Sequence, residues 1–228
     1  LAYFGIRPFH ITDGTNQYRF GDYLHHRYVT CTLALLLGVG YLACIGYSWQ
    51  KAQIIFLLIV YKVIDGFADV YESEFQRQGC LYLTGRSNTF RTILSVGVFL
   101  ATLVSGAGLF AACAAAVLGQ IAGVVLFDIV VLRELKRVDY GWSAKQGVSL
   151  TASSILLFVS VFLDFYIFSA AKYAIDAHLG DAASGYFNVI FMPTSVINLA
   201  AGFVIRPFLT YLTDCWNEHR FSDFKKKL

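Results

Sequence analysis

The chain has 228 residues, of which 57% are hydrophobic and only 14% are charged, and its formal net charge is +3. Soluble domains carry about 25% charged residues, so this composition excludes an ordinary cytosolic protein and indicates one that is embedded in a membrane. The five cysteines form no C-x-x-C pair, which argues against a disulfide framework or a zinc site. We therefore expect an all-α integral membrane protein that holds no metal and no cofactor.

Six apolar segments are long enough to cross the hydrocarbon core, which takes about 20 helical residues. In chain order they are Tyr28 to Tyr47, Gln53 to Ser73, Asn88 to Val104, Leu109 to Leu132, Ser149 to Ala170 and Tyr186 to Leu209. The third and fourth lie in one uncharged stretch that is too long for a single crossing. Ser105 to Gly108 predicts the turn between them.

Lysine and arginine are concentrated in alternate connecting segments. Fifteen of the eighteen fall in one set of segments, and the others are Lys51, Lys62 and Lys172. The fifteen are Arg7, Arg19, Arg27, Arg77, Arg86, Arg91, Arg133, Lys136, Arg137, Lys145, Arg206, Arg220, Lys225, Lys226 and Lys227. Because cytoplasmic loops retain positive charge, this bias predicts that both ends lie in the cytoplasm. No groove-reading element accompanies the basic residues, so nucleic-acid binding is not expected.

The second predicted span carries a stripe of polar residues. Lys62, Asp65, Asp69, Glu72 and Gln76 recur at steps of three or four, so they share one face of a helix. Lys62 lies roughly 14 Å along the helix from Gln53, close to the middle of a ~30 Å core. Ionisable groups at that depth normally face protein or a water-filled cavity. The stripe predicts either a polar wall beside a substrate route or ion pairs from Lys62 to Asp65 or Asp69 that tie helices together.

Three further features stand out inside the apolar segments. Asp128 is expected to form a boundary ion pair with Arg133, whereas Asp164 lies deeper in its span and is a candidate for ion coupling. Ala115, Gly119 and Gly123 form a row of small residues that predicts close contact with another helix.

Sequence motifs of common enzymes are missing from the chain. It contains no Walker loop, no H-E-x-x-H and no G-x-S-x-G. The pair Asp65-Gly66-x-x-Asp69 leaves open an intramembrane prenyl or phosphatidyl transferase that chelates Mg²⁺, although the further acidic ligands of such enzymes are not found. A structural scaffold, in which the whole stripe is ion pairing, also remains open. We expect a protein that is not an enzyme.

The chain resembles the Wzx-like polysaccharide or lipopolysaccharide exporters, the flippases of the multidrug/oligosaccharidyl-lipid/polysaccharide superfamily. The resemblance covers nearly the whole chain and rests on the following strings. They are Tyr18 to Leu24 with Arg27; Tyr61, Lys62, Asp65, Asp69 and Gln76; Arg91; Lys172 to Asp176; Tyr186-Phe187, Phe191 to Pro193, Asn198-Leu199 and Arg206-Pro207. Ala171 stands where the family pattern has proline, which puts a local kink in doubt.

This resemblance implies that the chain is part of a two-bundle transporter of about twelve to fourteen helices in the bacterial cytoplasmic membrane. Residues 1–132 would belong to the first bundle, 133–148 to a cytoplasmic linker, and 149–228 to the start of the second bundle with a basic cytoplasmic end. The implied activity is alternating access. Its cargo would be a lipid-linked oligosaccharide, handled among membrane lipids and in concert with glycosyltransferases or a polymerase of the same pathway.

The resemblance and the stripe together nominate five residues of the substrate pathway, and Asp164 is nominated for ion coupling. Lys62 and Arg91 are expected to contact an anionic head group, while Asp65, Asp69 and Gln76 are expected to bond sugar hydroxyls or to orient the cations. A drug or metabolite antiporter of the same superfamily is the alternative function.

Overall fold

The computed structural model describes residues 2–13, 17–135, 138–218 and 222, except for the side chains at several positions between 173 and 217. Some residues named above lie outside this description. They are Lys136, Arg137, Arg220 and Lys225 to Lys227, together with the side chains of Tyr173, Asp176, Arg206 and Pro207.

All regular structure in the described part of the chain is helical, so the predicted all-α class is confirmed. The elements are α1 (Arg7–Thr12), α2 (Phe20–Ile45), α3 (Trp49–Arg77), α4 (Leu81–Val104), α5 (Gly108–Gly123), a π-helical segment (Val124–Ile129), α6 (Val130–Glu134) and α7 (Ala144–Asn217). Within α7 the backbone of Gly180, with φ +81°, is not helical and separates two helices.

Among the described residues, five helical stretches are long and apolar enough to cross a membrane. They are Phe20–Ile45, Leu81–Val104, Gly108–Glu134, Ala144–Lys172 and Ala182–Ile205. Each overlaps one of the predicted spans, but the boundaries differ, because a helix does not stop where the apolar run stops. For example, α4 begins at Leu81, well before the predicted start at Asn88.

The second predicted span forms a helix of a different character. α3 has 29 residues and includes the whole segment from Gln53 to Ser73. It is not one of the five because charged residues, among them Lys62, Asp65 and Asp69, interrupt its apolar run. The described chain therefore contains five strongly apolar helices and one equally long helix with a charged face.

The turn predicted between the third and fourth spans is confirmed. Gly106 and Gly108 have φ values of +81° and +85°, a region that favours glycine, and α4 and α5 are joined there.

The close contact predicted between the row of small residues on α5 and another helix is confirmed as well. A Cβ on Gly119 would lie 3.1 Å from the Cα of Ser95, and one on Gly123 would lie 2.7 Å from the Cγ of Arg91. Small residues on α5 thus let α4 approach closely.

The first compact unit, Leu1–Phe158, has its hydrophobic core around the C-terminal half of α3. The buried members of this core are Ile6, Tyr18, Phe20, Tyr23, Val70, Tyr71, Phe75, Leu132 and Leu150. Phe20 of α2 meets Tyr71 of α3 edge to face, with 5.6 Å between the ring centroids. The core therefore holds α2 against the half of α3 that also carries most of the charged side chains.

The segment before α7 is anchored to the first turn of α2. The Asp22 carboxylate accepts a hydrogen bond from the backbone N–H of Arg19 at 3.1 Å and another from that of Ser143 at 2.9 Å. The N–H of Gly21 donates to the carbonyl of Asp139 at 3.1 Å, and any side chain at Gly21 would collide with this segment.

The second compact unit is Val159–Leu228. Its two helices fold back on each other around Gly180, since the Phe168 and Phe191 rings meet with centroids 4.9 Å apart. Many of its apolar side chains, including Ile190 and Phe203, are exposed, which suits contact with lipid.

Candidate functional site

Three parts of the chain cover the predicted polar face of α3: the segment around α1, α2, and α4 with the π-helical segment. Together they form an ion network of four cations and four carboxylates joined by contacts of 3.4 Å or less. Its members are Arg7, Arg27, Lys62, Asp65, Asp69, Glu72, Arg91 and Asp128. The formal charges of these eight residues cancel.

Asp69 is the meeting point of α1, α2 and α3. One of its oxygens accepts from Arg27 at 2.7 Å and the other from Arg7 at 2.6 Å. Arg27 is 1% exposed and also donates to the backbone carbonyls of Ala2 and Tyr3. Because each carboxylate oxygen already accepts from an arginine, Asp69 is poorly placed to chelate a metal ion.

Arg91 is the meeting point of α3, α4 and the π-helical segment. Its guanidinium, 2% exposed, donates to Glu72 at 2.8 Å, to Asp128 at 2.9 Å and to Asp65 at 3.2 Å. Burying one cation among three carboxylates is tolerated because the neighbouring arginines balance the charge. Glu72 links the two halves of the network, since it also accepts from Arg7 at 3.1 Å.

Asp128 corrects one expectation from the sequence. Its ion-pair partner is Arg91 and not Arg133, which is exposed. Asp128 also accepts a short hydrogen bond from the hydroxyl of Ser87. The residue lies in the π-helical segment, and its carboxylate meets α4 at Ser87 and Arg91. Single-turn π-helices are frequent at functional sites.

The α1 segment (residues 2–12) runs alongside α3 in the same direction. Tyr3 donates to Asp65 at 2.6 Å, Arg7 to Asp69, and His10 lies 2.9 Å from Glu74. Each pair is separated by 62 to 64 residues, so the two stretches advance in register. Gly66 makes the close approach possible, because a Cβ there would lie 2.9 Å from the Cβ of Ala2.

The turn that leads into α1 is strained. Phe4 has φ +50°, which is uncommon for a residue other than glycine. Its ring is stacked on Phe158 with 4.4 Å between centroids and meets the edge of His26 at 5.0 Å. Strained backbone of this kind persists where the surrounding contacts hold it, and here those contacts fix the α1 segment over the charged face.

A second buried cluster lies at the C-terminal end of α3. Glu74 accepts from Arg77 at 2.8 Å and from the fully buried His10. Burial lowers the pKa of the His10 imidazole below its ordinary value, although the hydrogen bond and the charge of Glu74 act to raise it. Burial opposes ionisation of Glu74, but its hydrogen bonds and charge interactions with His10 and Arg77 outweigh this and lower its pKa to about 2. At neutral pH His10 is therefore neutral, and Glu74 is ionised.

The structure brings four of the five nominated pathway residues into the network and buries the fifth nearby. Asp69, Arg91 and Gln76 are buried, and Asp65 is 21% exposed in its side chain. Lys62 differs from them, because its side chain is 70% exposed and reaches Asp65 only at 3.4 Å. Asp164 is exposed in the second unit and forms no ion pair with any described residue.

Sequence reasoning missed three members of the network. The sequence assigns Arg7 to membrane topology and Arg27 to topology and the family resemblance, and it does not predict that Asp128 reaches Arg91. The α2 pattern did contain a signal, since Tyr23, His26, Arg27 and Thr30 occupy positions i, i+3, i+4 and i+7, which share one helix face, and all four are buried. A basic residue on the buried face of a helix needs an acidic partner.

Comparison with family models, with curated protein sequences and with solved structures finds no match for this chain.

Proposed function

We propose that this chain is part of a multi-pass transporter, a flippase that moves lipid-linked oligosaccharide across the bacterial cytoplasmic membrane by alternating access. In this proposal α3 is a sixth span in addition to the five apolar helices, and both ends of the chain lie in the cytoplasm. The single observation that carries the proposal is the ion network: four charged side chains on one face of α3 meet four more from the elements packed against that face.

The energetics of such a network favour a working role over a purely structural one. Removing charges from water costs several kcal/mol per ion, and well-packed apolar side chains of similar size often stabilise a protein as well or better. In membrane helices, ionisable residues commonly mark the route of a polar or charged substrate. A network of this size is therefore better explained by a polar cargo than by packing alone.

The geometry suggests how the network would serve transport. Arg91 holds α3, α4 and the π-helical segment together through Glu72, Asp65 and Asp128. In the proposed cycle, these contacts hold α3 and α4 together in a closed state. If α4 and the π-helical segment move away from α3, the carboxylates and guanidinium are uncovered together and provide polar partners for sugar hydroxyls and an anionic head group, which hydrocarbon cannot provide.

Transport of a labelled lipid-linked oligosaccharide by the intact protein in proteoliposomes tests the proposal. We expect wild-type transport to fall at least tenfold in Lys62→Ala and Asp69→Asn, at unchanged protein level. Lys51→Ala is the matched control, because Lys51 is also exposed on α3 but lies over the Tyr47 ring near the start of that helix.

Three outcomes would overturn this assignment. Unchanged transport in both variants would remove the network from the mechanism. Transport of small organic cations without transport of the lipid-linked sugar would favour the antiporter. Loss of activity in strict proportion to loss of thermal stability would favour a scaffold role for the charged face.

A further inference from the structure

A groove lies between α2 and α3 on the surface of the first unit. α2 contributes Ala34, Leu37 and Gly38, and α3 contributes Ile55, Ile59 and Lys62 among others. On α2 these residues occupy positions i, i+3 and i+4, and on α3 they recur at steps of four and three, so each set shares one helix face and two largely apolar faces form the walls. Gly38 brings the walls together, because a Cβ there would lie 2.9 Å from the Ile59 side chain.

Among the described residues that line this groove, Lys62 is the one that carries a charge. It lies next to the midpoint of α3 and more than half of its side chain is exposed. Within the described part of the chain its ion pair is with Asp65 at 3.4 Å, and Asp65 already accepts a shorter bond of 2.6 Å from Tyr3. Asp65 is also paired with Arg91 at 3.2 Å, so Lys62 shares its counter-ion with a second cation, and 70% of its side chain stays exposed to an external anion.

An exposed ammonium at this depth is costly in lipid. Insertion scales put the cost of a lysine at the centre of a span at about 2.5 to 3.5 kcal/mol. Snorkelling to water is limited, because the middle of a ~30 Å core lies about 15 Å from either boundary, well beyond the reach of a four-carbon stem. An anion that accompanies an apolar chain into the groove would offset this cost.

We infer that the groove between α2 and α3 binds the hydrocarbon tail of one lipid, with the phosphate of that lipid at the ammonium of Lys62. The tail would lie against Ala34, Leu37 and Ile59. The phosphates of resident bilayer lipids lie at the membrane boundaries, so a phosphate held near the middle of α3 belongs to a lipid in transit. The inference thus rests on the proposed function and adds where the tail of the cargo travels.

Two neighbouring leucines on α2 provide a matched test. Leu37 lines the groove, and Leu36 is exposed on the adjacent surface without lining it. Leu37→Trp fills the groove, whereas Leu36→Trp adds the same bulk outside it. Lys62→Ala removes the proposed phosphate partner and leaves the apolar walls in place.

The experiment is photo-crosslinking of the intact protein in nanodiscs to a polyprenyl phosphate that carries a diazirine in its tail. We expect label on the groove faces of α2 and α3, reduced at least fivefold by Leu37→Trp and by Lys62→Ala, and unchanged in Leu36→Trp. Unlabelled polyprenyl phosphate should compete, and neutral polyprenol should compete at least tenfold less well.

The inference is overturned if label in the wild-type protein spreads evenly over the apolar helices, or if Leu36→Trp and Leu37→Trp lower it equally. Label on α2 and α3 in the wild-type protein supports it even if Leu37→Trp does not fold. Because labelling needs no turnover, intact labelling without oligosaccharide transport would contradict the proposed function alone. Intact transport without groove labelling would contradict only this inference.

Discussion

Arg91 of α4 donates to Asp128 at 2.9 Å, and this ion pair joins the middle of α4 to the π-helical segment. The same guanidinium reaches Glu72 of α3 at 2.8 Å, so one side chain ties three elements together. Removing one partner of a buried ion pair leaves an uncompensated charge, which costs more than the pair contributes to stability. Several expected effects of mutations follow from this arrangement.

Arg91→Met is expected to lower the free energy of unfolding by about 3 to 5 kcal/mol, because three carboxylates lose their shared cation. Thermal unfolding of the purified protein, followed by thiol-reactive dye, would measure the loss. Arg86→Met is the control, since Arg86 is exposed on the same helix and lies over the Phe90 ring at 5.8 Å. That exposed contact contributes about 0.5 to 1 kcal/mol, and equal losses in the two variants would contradict the prediction.

Asp128→Asn and Asp164→Asn should separate stability from coupling. Asp128 is fully buried against Arg91 and Ser87, so we expect its variant to lower the melting temperature markedly. Asp164 is exposed, and a surface change of this kind usually stays within about 0.5 kcal/mol. If Asp164 binds a coupling ion, its variant should instead alter the dependence of transport on proton or sodium gradients. A flat ion dependence in both proteins would remove Asp164 from coupling.

Gly66→Ala should displace the α1 segment. The new Cβ would lie 2.9 Å from the Cβ of Ala2 and 3.3 Å from its carbonyl carbon, so the segment must move away from α3. Hydrogen exchange of the amides between residues 2 and 12 is expected to rise at least tenfold. Gly40→Ala is the control, because nothing lies within 4 Å of its Cβ position. Exchange that is unchanged in Gly66→Ala would show that the segment accommodates the methyl group.

The docking of the α1 segment is expected to weaken as the pH falls. In the docked state the pKa of His10 is lowered from 6.5, so the proton binds more tightly when the segment is detached and the ring is hydrated. The stabilisation is complete above about pH 6.5 and is lost as the pH falls below that value. Glu74, with a pKa of about 2, stays ionised throughout this window.

A dye attached through Thr12→Cys, read between pH 7.5 and 5.5, would report this release. Thr12 closes α1 and is half-buried. His10→Gln keeps a hydrogen-bond donor but cannot be protonated, so it should remove the pH dependence in this range. A transition that persists in His10→Gln would assign it to another group.

The six-crossing topology predicts which connections face each side of the membrane. A thiol introduced as Ser48→Cys, between α2 and α3, should react with an impermeant reagent added outside cells. The native Cys80, between α3 and α4, should react only after the membrane is opened. Both thiols labelled from the same side would show that α3 does not cross, and the reasoning from lysine and arginine would fail with it.

The sequence predicts the helices and the polar face of α3 because both depend only on residues that are close together in the chain. Asp65, Asp69, Glu72 and Gln76 lie within one helix, so their spacing alone places them on one side. The turn at Gly106 and Gly108 was predictable for the same reason. The approach of Gly119 and Gly123 to α4 was predictable because small residues in a row have few other uses in an apolar helix.

The partners of the charged face were not accessible, because they come from distant positions. Arg7 and Arg27 reach Asp69 across 62 and 42 residues, and a count of basic residues in loops assigns both of them to topology. The sequence expectation pairs Asp128 with Arg133 because the two are close along one helix, whereas the structure pairs it with Arg91, 37 residues away. Proximity along the chain does not show which neighbouring helix a buried carboxylate meets, and nothing in Val124–Ile129 signals its π-helical geometry in advance.

The equality of positive and negative charges in the network also constrains how this protein can diverge. Loss of Arg27 alone would leave one carboxylate oxygen of Asp69 without its arginine, and loss of Asp69 alone would leave Arg7 and Arg27 without this carboxylate. Either single substitution is therefore expected to destabilise the protein. Substitutions are expected to accumulate in compensating sets, with apolar residues replacing a cation and its carboxylate together. Covariation between positions 27 and 69, and between 91 and 128, would show that selection keeps the net charge of the buried network at zero.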